Sequence, residues 1–339
     1  MDLTPKKILV HAPNWIGDQV LSFPFFYHLR KKFPEAYIGV VARPWVAKLQ
    51  FKNLVNEVFV NEHFLRAINP ALISQGPWDL GFALPNSFSS AWVLRKSGVQ
   101  IRVGFDGELR TLLLQKAYSR KGLYGVHRAQ QYVSLLREYS TDGMGPHSMV
   151  RSSLEFFDPK VSWSNSGDLP TPSNGYWVLA PGSAAESRRW SADSFQILAR
   201  RIHEKTGMQG LILGGESERI LAQELAADPK NGLKNHCAEF GLAELWKFFQ
   251  GSRFTLANDS GLAHVAAISG ARTHIIWGAG NDQHTLPFGP GRVSISQHRL
   301  PCWPCEKNKC PKFGGAHLAC LSELSVDAVF LDLQRHKLI

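Results

Sequence analysis

Three short polar stretches carry side chains that a hydrophobic core does not require, and each suits work on an anionic substrate. The first, Pro13-Asn14-Trp15-Ile16-Gly17-Asp18, sets a carboxylate beside a glycine that permits a tight turn. Asp18 either serves the first turn of a helix as a cap and dipole partner, or projects outward as a carboxylate placed to take a proton. The second, residues 181–190 (PGSAAESRRW), joins Gly182 and Ser183 to Arg188 and Arg189. Backbone N–H groups at a loop-to-helix junction meet anions well, and guanidinium groups add charge and forked donors for phosphate. A solvated basic loop would have the same composition. The third, Asn258-Asp259-Ser260-Gly261-Leu262-Ala263-His264, presents carboxylate, hydroxyl and amide groups at a helix start, with His264 one turn inside. A lone histidine there faces either a cleft or the core.

Several chemistries drop out at once. There is neither a P-loop nor a G-x-G-x-x-G run, which argues against P-loop ATPases and nicotinamide dehydrogenases. The absence of a G-x-S-x-G elbow makes a Ser-His-Asp hydrolase a poor fit. No basic helix run, stacking motif or finger spacing suggests nucleic acid as a partner. Cysteines make a separate group: Cys237 stands alone, whereas Cys302, Cys305, Cys310 and Cys320 form C-x2-C-x4-C-x9-C. In a reducing compartment such a cluster favours a structural zinc or an iron–sulfur centre over disulfides, with His317 as a competing ligand. A loop of free thiols is the other reading.

The polar stretches have to be positioned by something, and the intervening sequence alternates strands with helices. Residues 7–12 (KILVHA), Tyr37–Ala42, Glu57–Val60 and 80–84 read as strands, with helices over 19–33, from Pro44, and over Phe88–Lys96. Residues 162–175 are polar and rich in Pro and Gly, as linkers are. The alternation then restarts with strands at Tyr176–Ala180, 210–213, 254–258 and Thr273–Trp277. Helices are expected over 191–206, 217–227, 242–250 and 263–269, with an amphipathic one closing the chain at 324–333. Such alternation calls for parallel sheets covered on both faces, an α/β fold. A length of 339 residues exceeds one ordinary core, so two doubly wound domains are expected. Each polar stretch then follows a strand, at the carboxyl edge where open α/β sheets bind ligands, and the two domains enclose a cleft.

No stretch reaches the roughly 20 apolar residues of a spanning helix, and the N-terminus lacks the apolar segment of a signal peptide, so a cytosolic protein is expected. The net charge of +10 is uneven: 20 Lys and Arg against 12 Asp and Glu over residues 1–165, but 18 against 16 over 166–339. A basic first half suits an acidic partner such as phosphorylated lipid or an anionic membrane face, though solubility alone would explain it too.

These stretches, in order, resemble the ADP-heptose:lipopolysaccharide heptosyltransferases, glycosyltransferase family 9, and among them heptosyltransferase II most. The segments that carry the resemblance are KILVHAPNWIGDQVLSFPF, LPNSFSSAWVLRKSGVQIRVGF, APGSAAESRRW, NDSGLAHVAA and the late CWPCEKNKCPKFGGAHLACL. The resemblance implies a GT-B fold: an acceptor-binding Rossmann-like domain over 1–165, a linker over 166–175, a nucleotide-sugar domain over 176–325 and a C-terminal helix over 326–339. It implies an inverting transferase in which Asp18 deprotonates the acceptor hydroxyl. Ser183, Arg188, Arg189, Glu218, Asp259, Ser260, Gly261 and His264 would bind the ADP-sugar donor, with Glu218 toward the ribose. Asn14, Asn86 and Ser87 would face the acceptor, a phosphorylated lipid A core. No cofactor is needed for catalysis, and contact with the inner membrane would be peripheral. The chain departs from the family at Arg188, where a Lys is usual, and at Trp277-Gly278-Ala279-Gly280-Asn281-Asp282, whose turn differs. The same fold acting on another nucleotide sugar, or a non-catalytic glycolipid-binding relative, would share most of these segments.

Overall fold

A computed structural model describes residues 4–63, 65, 68–139, 143–163 and 175–339. The chain divides into two compact units, residues 1–165 and 166–339. The stretch expected to link them, 166–175, lies outside the described residues apart from Gly175.

In the first unit six strands form one parallel sheet: β1 (Lys7–His11), β2 (Tyr37–Ala42), β3 (Glu57–Val60), β4 (Trp78–Ala83), β5 (Val99–Phe105) and β6 (Lys116–Tyr118). Their order is β3-β2-β1-β4-β5-β6. The second unit repeats the plan with β7 (Tyr176–Ala180), β8 (Gln209–Ile212), β9 (Leu233–Asn235), β10 (Thr255–Asn258), β11 (Thr273–Trp277) and β12 (Val293–Gln297). There the order is β12-β11-β10-β7-β8-β9, again all parallel. Parallel neighbours need crossovers, and helices on both faces leave the central strands dry, which explains why β1, β2 and β7 are almost unbroken apolar runs.

Four strands were not legible in the sequence. β6 and β9 have only three residues each, and β12 is a partly exposed edge with alternating serines. β5 hides behind Arg102, whose guanidinium is spent on the backbone oxygens of Leu113 and Val99 at 2.6 and 2.5 Å. The helix expected over 19–33 is two helices, Ile16–Leu21 and Phe23–Lys32. Pro24 brings no N–H to the ladder, and the Ser22 hydroxyl bonds back to the Gln19 carbonyl at 2.6 Å, so the chain stops and restarts.

Each unit has its own core. In the first, Phe23 meets Phe51 and Phe157 edge-on at 5.2 and 4.9 Å, and Trp163 closes onto Phe157 at 5.1 Å. In the second, Trp177 stacks on Phe254 at 5.5 Å, and Trp190 meets Phe195 edge-on. The helix Ala192–Thr206 starts where the Ser191 hydroxyl accepts the Ser194 N–H at 3.1 Å and ends at Gly207, whose φ of +67° suits glycine. The closing helix, Val326–Arg335, buries Val329 and Leu333 in the same cluster and so belongs to the second unit. Among the described residues no helix is long and apolar enough to cross a membrane.

Candidate active site

Both sheets reverse direction of winding at one place: between β1 and β4 in the first unit, and between β7 and β10 in the second. Loops leaving the carboxyl ends of such a strand pair splay apart and open a crevice for ligands. The polar stretches follow β1, β7 and β10, and Asn86 and Ser87 follow β4.

In the second unit the loops after β7 and β10 are laced together. Asn258 at the end of β10 donates from Nδ2 to the Pro181 carbonyl at 2.6 Å and accepts the Trp190 N–H at 3.2 Å. The Ser183 hydroxyl donates to the Asp259 carbonyl at 2.9 Å, and Arg189 Nε to the Ser183 carbonyl at 2.6 Å. Arg189 is therefore a brace of the loop, whereas Arg188 carries its charge to the site. Its Nη1 lies 3.1 Å from Asp259 Oδ2, and the Asp259 side chain is 3% exposed. Burial pushes the Asp259 carboxyl up to about 6, the Arg188 charge pulling it part of the way back. Next along, Ser260 caps the helix Gly261–Ile268, yet its hydroxyl makes no cap bond; it is buried and has no hydrogen-bond partner among the described residues. An unsatisfied hydroxyl beside free helix N–H groups is a place for a ligand oxygen. His264 is buried one turn inside that helix.

Two glycines make room. A Cβ at Gly280 would run into Asp259 Oδ2, and one at Gly182 would stand 2.6 Å from Glu218 Cγ. Glu218 thus presses against the loop after β7, with its oxygens accepting from the Gly215 N–H at 2.8 Å and the Ser217 hydroxyl at 2.7 Å. The turn after β11 is held by Trp277 Nε1 donating to the Gly280 carbonyl at 2.8 Å.

The raised Asp259 makes a testable pH signature. Between pH 4 and 6 the unfolded carboxyl has lost its proton while the folded one keeps it, so this group's contribution to stability falls as pH rises through that window. The difference amounts to roughly 3 kcal/mol, from a shift of about two units. In urea unfolding, Asp259→Asn is expected to gain on the parent progressively from pH 4 to 6 and to hold a constant difference above it. A difference flat across the window contradicts the assignment.

In the first unit Asp18 lies in the first turn of the helix Ile16–Leu21, whose N-cap is Trp15. Its carboxylate is three-quarters shielded and stands 3.9 Å from Arg128 Nε. The buried Tyr132 hydroxyl is hydrogen-bonded to it; burial first, and the Asp18 charge second, hold Tyr132 well above the usual phenol range. Asn14 gives its carbonyl to Trp45 Nε1 at 2.9 Å, and its side-chain oxygen is buried without a hydrogen-bond partner among the described residues. Asn86 Oδ1 is 3.5 Å from Arg110 Nη1. Ser87 caps the helix Phe88–Lys96 by accepting the Ser90 N–H at 3.3 Å. His11, at the end of β1, is held down to about 4 by burial first and then by the charges of Arg43 and Arg110, which follow β2 and β5. Cations therefore gather at the carboxyl edge of this sheet. Sequence reasoning missed Arg43, Arg110, Arg128 and Tyr132. The i, i+4 spacing of Arg128 and Tyr132 on one helix face was the available signal.

The cysteine segment gains no support as a metal centre. Among the described residues no three His, Cys, Asp or Glu side chains are grouped to hold a metal ion. Cys302 is exposed, the Cys310 sulfur accepts the Leu318 N–H at 3.4 Å, and His317 Nδ1 lies 3.0 Å from the Lys312 carbonyl. Burial, and then the neighbouring thiols of Cys305, Cys302 and Cys310, push the Cys320 thiol up. The segment backs the second polar loop. Ser187 gives its N–H to the Asn308 carbonyl at 3.2 Å and its hydroxyl to that of Lys307, and the Glu306 N–H reaches the Ala279 carbonyl at 2.9 Å.

Residues 71–314 match the profile of glycosyltransferase family 9 (heptosyltransferase), and the chain belongs to that family. It is 24% identical over 333 residues to lipooligosaccharide heptosyltransferase 2 of Campylobacter jejuni, spanning 95% of this chain and 96% of that one. In structure it is similar to Escherichia coli ADP-heptose lipopolysaccharide heptosyltransferase II, with a TM-score of 0.73, 22% identity, and 97% and 98% of the two chains covered. A family 9 glycosyltransferase from Veillonella parvula superimposes with a TM-score of 0.76 at 19% identity, covering 99% and 98%. The α/β architecture of two six-stranded parallel sheets, read from the sequence as a pair of Rossmann-like domains, agrees with these solved folds.

Proposed function

We propose that the chain transfers heptose from ADP-heptose to a phosphorylated, lipid A-linked inner core, in the manner of a heptosyltransferase II. The observation that carries this reading is the Arg188–Asp259 pair set beside the unsatisfied Ser260 hydroxyl and the helix start at Gly261. A fixed cation, a helix N-terminus and a hydroxyl suit a diphosphate, and they gain most when charge develops on it as it leaves. His264, Ser183 and Glu218 complete the donor side in this reading, with Glu218 toward the ribose.

The first unit contributes the base. Asp18 takes the proton of an acceptor hydroxyl, the oxygen attacks the anomeric carbon, and the bond from that carbon to the diphosphate oxygen breaks, releasing ADP. One displacement inverts the centre and needs no covalent sugar–enzyme species. Arg43, Arg110 and Arg128 give the acceptor's phosphates cationic neighbours, with Asn14, Asn86 and Ser87 along the same edge. The basic excess of residues 1–165 suits work at the cytoplasmic face of the inner membrane as a peripheral protein, attraction to anionic lipid being screened beyond about 10 Å.

Purified protein is expected to release ADP from ADP-heptose only when a heptose-accepting core lipid is present. A donor screen by calorimetry separates the neighbouring readings. Preference for a UDP- or GDP-sugar would redirect the donor assignment, to which the unusual turn Trp277–Asp282 is the pointer. Turnover with no nucleotide sugar at all would make the chain a glycolipid-binding relative.

A further inference from the structure

At the edge of the second sheet opposite the donor loops, Arg272 and Arg292 stand immediately before β11 and β12. With Ser294, Arg335 and Lys337 they line a cavity of about 420 Å3, within the ~300–1,000 Å3 usual for small-ligand sites. A strand of five residues separates the two edges by roughly 15 Å, so this cavity is not part of the site described above.

The charges here do not balance. Asp332 pairs with Arg335 at 2.7 Å, and its other oxygen accepts the Ser296 hydroxyl at 2.7 Å. Among the described residues no carboxylate pairs with Arg272, Arg292 or Lys337, and Arg272 spends one nitrogen on the His336 carbonyl at 2.6 Å. Burial, and after it the charges of Arg253 and Arg292, lower the Arg272 guanidinium from its ordinary value. Cations that repel one another around a hollow are relieved by an anion within it.

Behind Ser294, which lines the cavity, the side chains are fixed. His274 is wholly buried, with Nδ1 at 2.8 Å from the Ser294 hydroxyl and Nε2 at 2.8 Å from that of Ser296. Because Ser296 donates to Asp332, it accepts from His274 Nε2–H, and Ser294 donates to Nδ1. Burial holds His274 down to about 4, so it stays neutral at physiological pH. The hydroxyl hydrogens are turned inward, and the groups left to meet a ligand are the guanidinium and ammonium donors on the walls.

We propose that this cavity is a second anion site that takes a phosphoryl group, carried either on a soluble phosphate ester or on a lipid headgroup. Forked guanidinium donors from two neighbouring strand starts match the oxygens of phosphate.

Hydrogen exchange of the full-length protein in inorganic phosphate, against chloride at equal ionic strength, reads the site locally. Phosphate is expected to slow exchange over 291–297 and 326–339, by about tenfold at ten times its dissociation constant. Phosphate in the donor loops would instead slow 181–190 and 259–264. Arg292→Gln, an exposed substitution, is expected to abolish the first effect and leave turnover unchanged. Sedimentation with phosphatidylcholine vesicles, with and without phosphatidic acid, distinguishes the sources. Pelleting by phosphatidic acid that Arg292→Gln removes assigns the lipid. Phosphate protection without Arg292-dependent pelleting assigns a soluble ester. No slowing over 291–297, or equal slowing in Arg292→Gln, overturns the site.

Discussion

Asp18→Asn is expected to cut turnover by about a hundred- to ten-thousandfold, the range that a positioned general base contributes, while ADP-heptose binds as tightly as before. The amide keeps the size and the hydrogen bond to Tyr132, and it leaves Arg128 in place. What it loses is the ability to accept a proton from the attacking hydroxyl. The split between kcat and donor affinity is the informative part, because a merely structural carboxylate in the first turn of a helix would lower stability instead. Loss of such a dipole partner is worth only about 0.3–1 kcal/mol. Single-turnover rates beside calorimetric donor binding make the comparison, and undiminished turnover removes Asp18 from the mechanism.

Arg188→Gln is expected to act on both quantities. A charged hydrogen bond to diphosphate is worth about 1.5–3 kcal/mol, so ADP affinity should fall roughly 10- to 150-fold. kcat should fall as well, because the leaving diphosphate carries more charge in the transition state than in the bound donor. The substitution also strands Asp259, a buried carboxylate whose sole cationic partner among the described residues is Arg188. It should then be pushed further up and hold its proton at higher pH. Arg188→Lys keeps a charge but not the fork, and is expected to recover part of the loss. ADP affinity unchanged in Arg188→Gln would mean that the guanidinium serves Asp259 alone.

The positions of these groups were partly legible in the sequence. The central strands β1, β2, β4, β7, β10 and β11 are dense apolar runs, and any polar loop leaving one must lie at a sheet edge. That placed residues 14–18, 183–189 and 258–264 without any structure. The edge strands gave no such signal, being short or half-wetted. Pairings were invisible: nothing local says that Arg188 meets Asp259, or that Arg189 beside it turns back to the Ser183 carbonyl. Adjacent arginines look alike in a sequence and differ only in the direction the loop gives them. The thiol cluster differs: its spacing suggested a ligand set, and nothing in that spacing announced that the segment backs the loop at 185–189.

That backing sets an order of events during synthesis. Residues 306–308 close the hydrogen bonds that steady the loop at 185–189, and the helix Val326–Arg335 packs on the cluster holding Trp190. A chain emerging from the ribosome N-terminus first can complete residues 1–165 before the loop at 185–189 gains its backing from 306–308 and 326–335. On the proposed assignment, a nascent chain would hold Asp18 in place well before Arg188, and until then would draw nothing from the cell's supply of activated sugar.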